Sequence, residues 1–180
     1  MNFSDLLQSV NSIEEKYPPV HLWNPDLCEG VEMKIDREGN WFYQGSIIGR
    51  DKLKILFSRI LKFEDGKYYL VTPVEKVAVN VDLAPYMIVD YEVDSDHQNI
   101  ILKTNLDLSI PLDHEHKLEF KKIGDEHIPF VHVRNNIEGF LSRSVYYSLI
   151  EIALKQDHNS ENKLSLKSFD CRFDLGKMHD

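Results

Sequence analysis

The chain is dominated by short β-type segments that are separated by turn residues. Val31, Met33 and Ile35 alternate with charged residues, as in a half-buried strand. Similar short segments follow nearly to the end of the chain, in WFYQG, GKYYLV, KVAVNV, YMIVDYEV, NIILKT, LDLSIPL, KLEFKKI, IPFVHV and CRFDL. Strands that are this short and this closely spaced pair through tight turns, which favours antiparallel sheets. We therefore predict an α+β fold with antiparallel sheets and few helices.

Three segments instead place apolar residues three and four positions apart, as one face of a helix requires. The first is a leading helix at residues 4–16, which ends before two prolines, and the second covers residues 53–61. The third and longest covers about 136–155, and its apolar arc is wide enough to pack on two sides. The leading helix is interpreted as docking on the body of the protein, with a partner-binding helix as the alternative.

Composition narrows the class of protein. The chain has 180 residues, of which 42% are hydrophobic, so it can bury a sizeable core. Its net charge of −9 argues against duplex nucleic acid as a partner, because such binding depends on Lys/Arg neutralising phosphates. Cys28 and Cys171 lie far apart, which argues against a disulfide scaffold or zinc ribbon. No signal peptide or membrane-length apolar run is evident, so we expect a cytoplasmic protein that contacts no membrane.

Two segments share the same order of strand, turn, strand, glycine, arginine and amphipathic helix. The first contains Gly45 and Arg50, and the second contains Gly139 and Arg143 at the same offset to their helices. We interpret this as a repeated strand-strand-helix motif, with chance similarity as the alternative. The repeat predicts two small domains, residues 1–84 and 85–180, and interfaces between domains often hold ligand clefts.

The two arginines are candidates for anion binding. Arg50 and Arg143 lie at predicted helix starts, where free N–H groups attract anions and a cation is otherwise disfavoured. A guanidinium at such a place binds a ligand phosphate or pairs with an internal carboxylate, for which Glu75 and Asp82 are the candidates. Both interpretations stay open from the sequence.

The turn Thr72-Pro73-Val74-Glu75-Lys76 carries a hydroxyl, an acid and a base between two strands. Pro73 suits the first inner position of a tight turn, and Thr72 before it favours extended backbone. Glu75 and Lys76 then have three interpretations: plain turn residues, an ion pair across the two halves, or a polar rim of a ligand cleft. One acid without a positioned nucleophile makes a poor catalytic site, so no catalytic residue is assigned.

The histidines of DHEH, residues 113–116, raise the question of a metal site. His114 and His116 share a strand face in a β reading, and His127 or His132 follows on the next strand. The segment is equally an ordinary polar turn, and metal sites usually have a more constrained ligand set. No nucleotide-loop, nucleophile-elbow or zinc-protease motif is present in the sequence. We therefore predict no metal and no cofactor.

Three blocks, WFYQGSIIGR from Trp41, GKYYLVTPVEK from Gly66 and VNVDLAPY from Val79, resemble the signature of a bacterial family of a domain of unknown function. The resemblance implies a two-domain α+β fold with an internally repeated motif, whose second half is superficially similar to pleckstrin-homology domains. It also implies a nucleotide-like ligand at the domain interface and a role in signalling. It implies no catalytic residues.

The leading hypothesis is thus a non-enzymatic module that binds an anionic, nucleotide-like small molecule at the domain interface and acts in signal transduction. The expected ligand-binding residues are Trp41, Arg50, Thr72, Glu75, Lys76, Asp82 and Arg143. The alternatives are a protein-interaction adaptor without a small-molecule ligand, and a phosphoester hydrolase that uses Glu75 or Asp82. No reaction is assigned on the sequence.

Overall fold

The computed structural model describes residues 18–94, 99–156 and 164–176, together with Gln8. Apart from Gln8, the predicted leading helix lies outside the described residues. The chain divides into two compact units: Met1–Pro85 with Asn135–Ile137, and Tyr86–Arg134 with Glu138–Asp180. Each unit is described by itself. Within the described ranges, no helix has the length and apolar character that crossing a membrane requires.

Over residues 18–85, the first unit is one mixed sheet with one α-helix. A 3-10 turn, Val20–Leu22, precedes the sheet. The elements that follow are β1 (Met33–Ile35), β2 (Trp41–Tyr43), β3 (Ser46–Ile47), α1 (Asp51–Arg59), β4 (Leu61–Glu64), β5 (Lys67–Val71) and β6 (Lys76–Val81).

The strand order in this sheet is β3-β2-β1-β6-β5-β4. All neighbours are antiparallel except the central pair, β1 and β6, which is parallel. Ile35 lies opposite Trp41 on one side and Val81 on the other, so apolar side chains of three strands share one face. α1 packs on this face through Phe57, whose ring stacks on Trp41 at 6.4 Å between centroids. Both rings are fully buried and form the centre of the core.

The second unit contains a second six-stranded sheet, a helix and a two-stranded hairpin within its described part. Its elements are β7 (Tyr86–Asp94), β8 (Asn99–Thr104), β9 (Ser109–Pro111), β10 (Leu118–Ile123), β11 (Glu126–Arg134), β12 (Ile137–Leu141), α2 (Arg143–Gln156), β13 (Leu164–Ser168) and β14 (Cys171–Gly176).

The strand order here is β10-β11-β12-β7-β8-β9, with β12 parallel to β7. α2 packs against β13 and β7. The hairpin is fastened to β8 by two hydrogen bonds: the Ile100 N–H donates to Ser168 Oγ at 2.9 Å, and the Phe169 N–H donates to Asn99 Oδ1 at 3.0 Å. The prediction of an α+β fold with mostly antiparallel sheets is confirmed.

The predicted helix at 136–155 is wrong in its first turns, because residues Ile137–Leu141 form β12. Asn135 and Asn136 have φ of 45° and 60°, which suits a two-residue hairpin turn of the primed type. The helix begins only at Arg143, after Ser142, whose hydroxyl accepts the Val145 N–H at 3.4 Å. A short apolar run fits both the helix and the strand period, so the spacing of apolar residues alone placed the start of the helix too early.

Both segments of the predicted repeat do run through strands into a helix, and the two sheets share one order of strands. In each unit the first strand of the sheet is parallel to the sixth. The residue correspondence, however, is wrong. Gly45 lies in the β2–β3 turn with φ of 73°, whereas Gly139 lies inside β12. The first helix follows an edge strand and the second follows a central strand, so the two motifs are not equivalent by position.

Candidate functional site

The Thr72–Lys76 turn is held by the threonine. Thr72 is fully buried, and its Oγ1 accepts the N–H groups of Glu75 at 3.0 Å and of Val74 at 3.4 Å. The Thr72 N–H in turn donates to the Glu75 carbonyl at 2.8 Å. The hydroxyl that the sequence offered to a ligand is therefore used within the turn, as short polar side chains do in such turns.

Lys76, the last residue of that segment, belongs to a charged cluster on the opposite face of the sheet from Trp41. Its Nζ lies 2.5 Å from Glu64 Oε2, and Lys62 Nζ lies 2.8 Å from Glu64 Oε1. The Lys76 ammonium also lies 4.4 Å from the centroid of the Tyr69 ring. We call Lys62, Glu64, Tyr69 and Lys76 the lysine cluster.

Strand pairing assembles this cluster from three strands. Lys62 on β4 lies opposite Tyr69 on β5, and Val71 on β5 lies opposite Lys76 on β6. Since side chains alternate along a strand, all the cluster residues point to one face while Leu61 and Leu70 point to the core. The strands are thus polar on one side and apolar on the other.

The segment before β1 covers part of the cluster. Lys62 Nζ donates to the Trp23 carbonyl at 3.3 Å, and the Cys28 N–H donates to the Lys76 carbonyl at 2.8 Å. As a result both lysine side chains are only 13% exposed, while Glu64 is 32% exposed. The charges therefore interact through a medium that is less polar than bulk water.

The two ammonium groups control the carboxylate between them. Hydrogen bonds from Lys62 and then from Lys76 lower the pKa of Glu64 from 4.5 to about 2, against an opposing effect of desolvation. The carboxylate is therefore ionised across the physiological range. Two positive charges against one negative charge leave the cluster with a net charge of about +1, within a chain of net charge −9. Such a place is suited to hold a small anion.

Asp82 lies after β6 and pairs with Lys34 at 3.1 Å, not with an arginine. Lys34 also lines a cavity of about 230 Å³ together with Glu32, Asp36, Phe42 and Gly45. Both members of the pair are well exposed, so it contributes little to stability.

Within the first unit, Arg50 does not pair with Glu75 or Asp82, the carboxylates proposed for it. Arg50 is the exposed N-cap of α1, and it forms no ion pair with any residue that the structure describes. Arg143 is 88% exposed, and its Nη2 lies 3.5 Å from Glu126 of its own unit. Arg143 is thus paired with Glu126, a carboxylate that the sequence analysis did not name.

Trp41, another expected ligand residue, lies in the core of the first unit. Its Nε1 is buried and has no hydrogen-bond partner in the described part of the chain, which costs roughly 1–3 kcal/mol. Of the expected set, the structure brings Thr72, Glu75 and Lys76 together in one turn. Lys62, Glu64 and Tyr69 were not anticipated, although their outward alternation in LKFEDGKYYL is the signal that could have shown them.

The histidines of the second unit are close to one another but do not form a complete metal cage. His116 and His132 have ring centroids 6.2 Å apart. Among the described residues, no three His, Cys, Asp or Glu side chains are grouped so that they could hold a metal ion.

These observations define a two-unit α+β protein with mostly antiparallel sheets and a lysine-bearing polar face. The chain belongs to the DUF1285 family. Residues 18–84 match its N-terminal domain, described as a domain of unknown function, and residues 85–175 match its C-terminal domain, described under a protein of unknown function. This confirms the expectation of a family without an assigned function.

Two solved structures resemble the chain. A DUF1285 family protein from Silicibacter pomeroyi DSS-3 is 37% identical, with a TM-score of 0.81, and the match covers 96% of this chain and 94% of the other. A DUF1285 family protein from Shewanella baltica OS155 is 30% identical, with a TM-score of 0.55, and the match covers 69% of this chain and 94% of the other. A comparison with curated proteins finds no match.

Proposed function

We propose that this protein is a non-enzymatic binding module for an anionic, nucleotide-like small molecule, and that the lysine cluster of the first unit holds the anionic group. One observation carries the proposal: two largely covered lysines share the single carboxylate of Glu64. The nucleotide-like character and the signalling role are supported by the family resemblance described above.

The charge balance supports an anion. A covered ammonium is stabilised when each charge has its own acceptor, and here two ammonium groups divide one carboxylate. A phosphate oxygen near Lys62 and Lys76 supplies the missing negative charge through charge-assisted hydrogen bonds. Glu64 is the more exposed member of the trio, so an anion reaches the lysines from the Glu64 side.

This arrangement predicts opposite effects for the acid and the bases. Lys76→Met keeps the aliphatic stem but removes one charge-assisted hydrogen bond, which is worth about 1.5–3 kcal/mol. That corresponds to roughly 10- to 150-fold weaker binding. Glu64→Gln removes the competing carboxylate, so binding is expected to tighten. Lys52→Met, on the exposed start of α1, is the matched control and leaves the affinity unchanged.

The experiment is a thermal-shift screen followed by calorimetric titration with nucleoside mono-, di- and triphosphates, cyclic nucleotides and inorganic phosphate. A ligand that binds the folded state raises the melting temperature with the logarithm of its concentration. We expect a shift that Lys76→Met abolishes and Glu64→Gln increases, with no turnover of the bound nucleotide. The proposal fails if no anion at millimolar concentration shifts the transition, or if all variants respond alike.

A protein-interaction adaptor remains the second candidate, because apolar side chains flank the cluster. Val74 in the turn is 72% exposed, and Leu27, which bridges to Lys76, is 52% exposed. Exposed apolar groups beside charges are typical of docking surfaces. If the anion screen is negative, the adaptor hypothesis predicts a protein partner whose binding is lost in Val74→Asp and retained in Lys52→Met.

A further inference from the structure

Two histidines of the second unit, His116 and His132, are oriented so that Nε2 of each ring is free to bind a ligand. His116 lies in the turn after β9, and His132 lies on β11. Their rings are 6.2 Å apart between centroids and inclined by 32°. Each ring is oriented by an oxygen atom that lies within hydrogen-bond distance of its Nδ1.

His116 is oriented by a carboxylate. Its Nδ1 lies 2.9 Å from Asp113 Oδ1, and the same oxygen accepts the N–H groups of Glu115 and His116, each at 2.9 Å. An ionised carboxylate can only accept, so Nδ1 carries the proton and Nε2 of the neutral ring has a free lone pair.

His132 is oriented by a backbone carbonyl. Its Nδ1 lies 3.1 Å from the Glu115 carbonyl oxygen, which can only accept. The neutral His132 ring therefore also carries its proton on Nδ1 and leaves Nε2 free. A carboxylate or carbonyl at the remote nitrogen is the arrangement by which proteins orient metal-binding histidines. Both neighbouring rings have such an acceptor at Nδ1, and a polar turn does not need this arrangement to form.

The distance between the rings is somewhat longer than that of a pair sharing one ion. With Nε2–metal bonds of about 2.0–2.1 Å and a tetrahedral angle at the metal, two ring centroids lie about 5 Å apart. The observed separation is 6.2 Å, so the two rings have to approach each other by about 1 Å to bind one ion. No third protein ligand is in place within the described residues, which leaves the other coordination positions to water.

The surroundings favour a cation. His132 lines a cavity of about 350 Å³ whose charged wall consists of Glu115, Glu119, Glu138 and Lys117. Glu138 is paired with Lys121, so three carboxylates face two ammonium groups and the wall keeps a net charge of about −1. A negatively charged wall repels a phosphate and attracts a divalent cation.

We propose that His116 and His132 bind a nitrogen-preferring divalent transition metal, such as Zn²⁺, through their Nε2 atoms, with water completing the coordination. Asp113 and the Glu115 carbonyl act as positioning groups. Imidazole nitrogen is a preferred ligand for such metals, whereas Mg²⁺ and Ca²⁺ prefer oxygen. The proposal departs from the sequence expectation of no metal, because the Nδ1 acceptors that orient both rings become visible only in the structure.

The test uses the full chain with any histidine tag removed, titrated with Zn²⁺ by calorimetry and assayed for bound zinc after desalting. We expect one Zn²⁺ per chain in the wild type and in His127→Ala, a control at an exposed histidine of β11. Binding is expected to be lost in His116→Ala and His132→Ala, and to weaken about 10- to 100-fold in Asp113→Asn.

Long-range ¹H–¹⁵N spectra of the metal-free wild type supply a readout that does not depend on the variants folding. Both histidines are expected to show the Nδ1-protonated tautomer, and their Nε2 signals are expected to shift on addition of Zn²⁺. The proposal is overturned if wild type binds no zinc at micromolar concentration. It is equally overturned if folded His116→Ala and His132→Ala bind as the control does, or if the Nε2 signals of the pair do not respond.

Discussion

Replacing Thr72 with valine tests whether the Thr72 hydroxyl stabilises the turn or serves to bind a ligand. Valine has nearly the same shape, and like threonine it favours the extended backbone before Pro73. The change therefore removes one oxygen from a fully buried position and little else. In the structure that oxygen accepts the backbone N–H groups of Glu75 and Val74.

The magnitude follows from these two contacts. The bond from Glu75 at 3.0 Å has normal length, whereas the one from Val74 at 3.4 Å is long and contributes little. Leaving one partly buried N–H without its acceptor costs about 1–3 kcal/mol. We therefore expect Thr72→Val to lower the free energy of unfolding of the first unit by about that amount.

The assay is urea unfolding monitored by tryptophan fluorescence, because Trp23 and Trp41 are the two tryptophans of the chain and both lie in the first unit. Thr72→Ser is the control: it keeps the oxygen and loses one methyl, a cost of roughly 0.8 kcal/mol. Amide hydrogen exchange at Glu75 distinguishes the two, since only the valine variant should lose protection there. If Thr72→Val is as stable as the wild type and Glu75 stays protected, the structural role is refuted.

Three further predictions concern charge, packing and the hairpin. Because the folded pKa of Glu64 lies below its ordinary value, the stability it contributes is present above about pH 4.5 and lost as pH falls toward 2; the Glu64→Gln variant should lack this part of the acid dependence in urea titrations. Gly139→Ala should destabilise the second unit by about 1–3 kcal/mol in a circular-dichroism melt, because its Cβ would lie 3.1 Å from Tyr86, while Gly49→Ala meets nothing and should be neutral. Ser168→Ala should cost about 1–3 kcal/mol and increase hydrogen exchange at the Ile100 amide, which loses its acceptor.

Much of the fold can be predicted from the sequence, because the alternation of polar and apolar residues along a strand is a local property. The strands in LKFEDGKYYL and KVAVNV show their polar and apolar faces without any knowledge of their partners. The start of the last helix could not be predicted, since Ile137–Leu141 is apolar enough for either a strand or a helix. Only the adjacent asparagines and Gly139 argue for a strand there, and their meaning depends on pairing with Tyr86.

The candidate site was predicted only in part for the same reason. Thr72, Glu75 and Lys76 are neighbours in the chain, so their turn could be foreseen. The grouping of Lys76 with Lys62 depends on the register of β4, β5 and β6, which a single sequence does not specify. The partner of Arg143, Glu126, lies 17 positions earlier in the chain and is likewise a product of the fold.

The most direct test of the central proposal is a ¹H–¹⁵N correlation spectrum of the full chain during titration with the nucleotide that gives the largest thermal shift. The lysine cluster as an anion site predicts that the largest saturable shifts occur at Lys62, Glu64, Tyr69 and Lys76. It also predicts that these shifts disappear in Lys76→Met and saturate at lower ligand concentration in Glu64→Gln. Shifts confined to other residues, or unchanged in both variants, would contradict it.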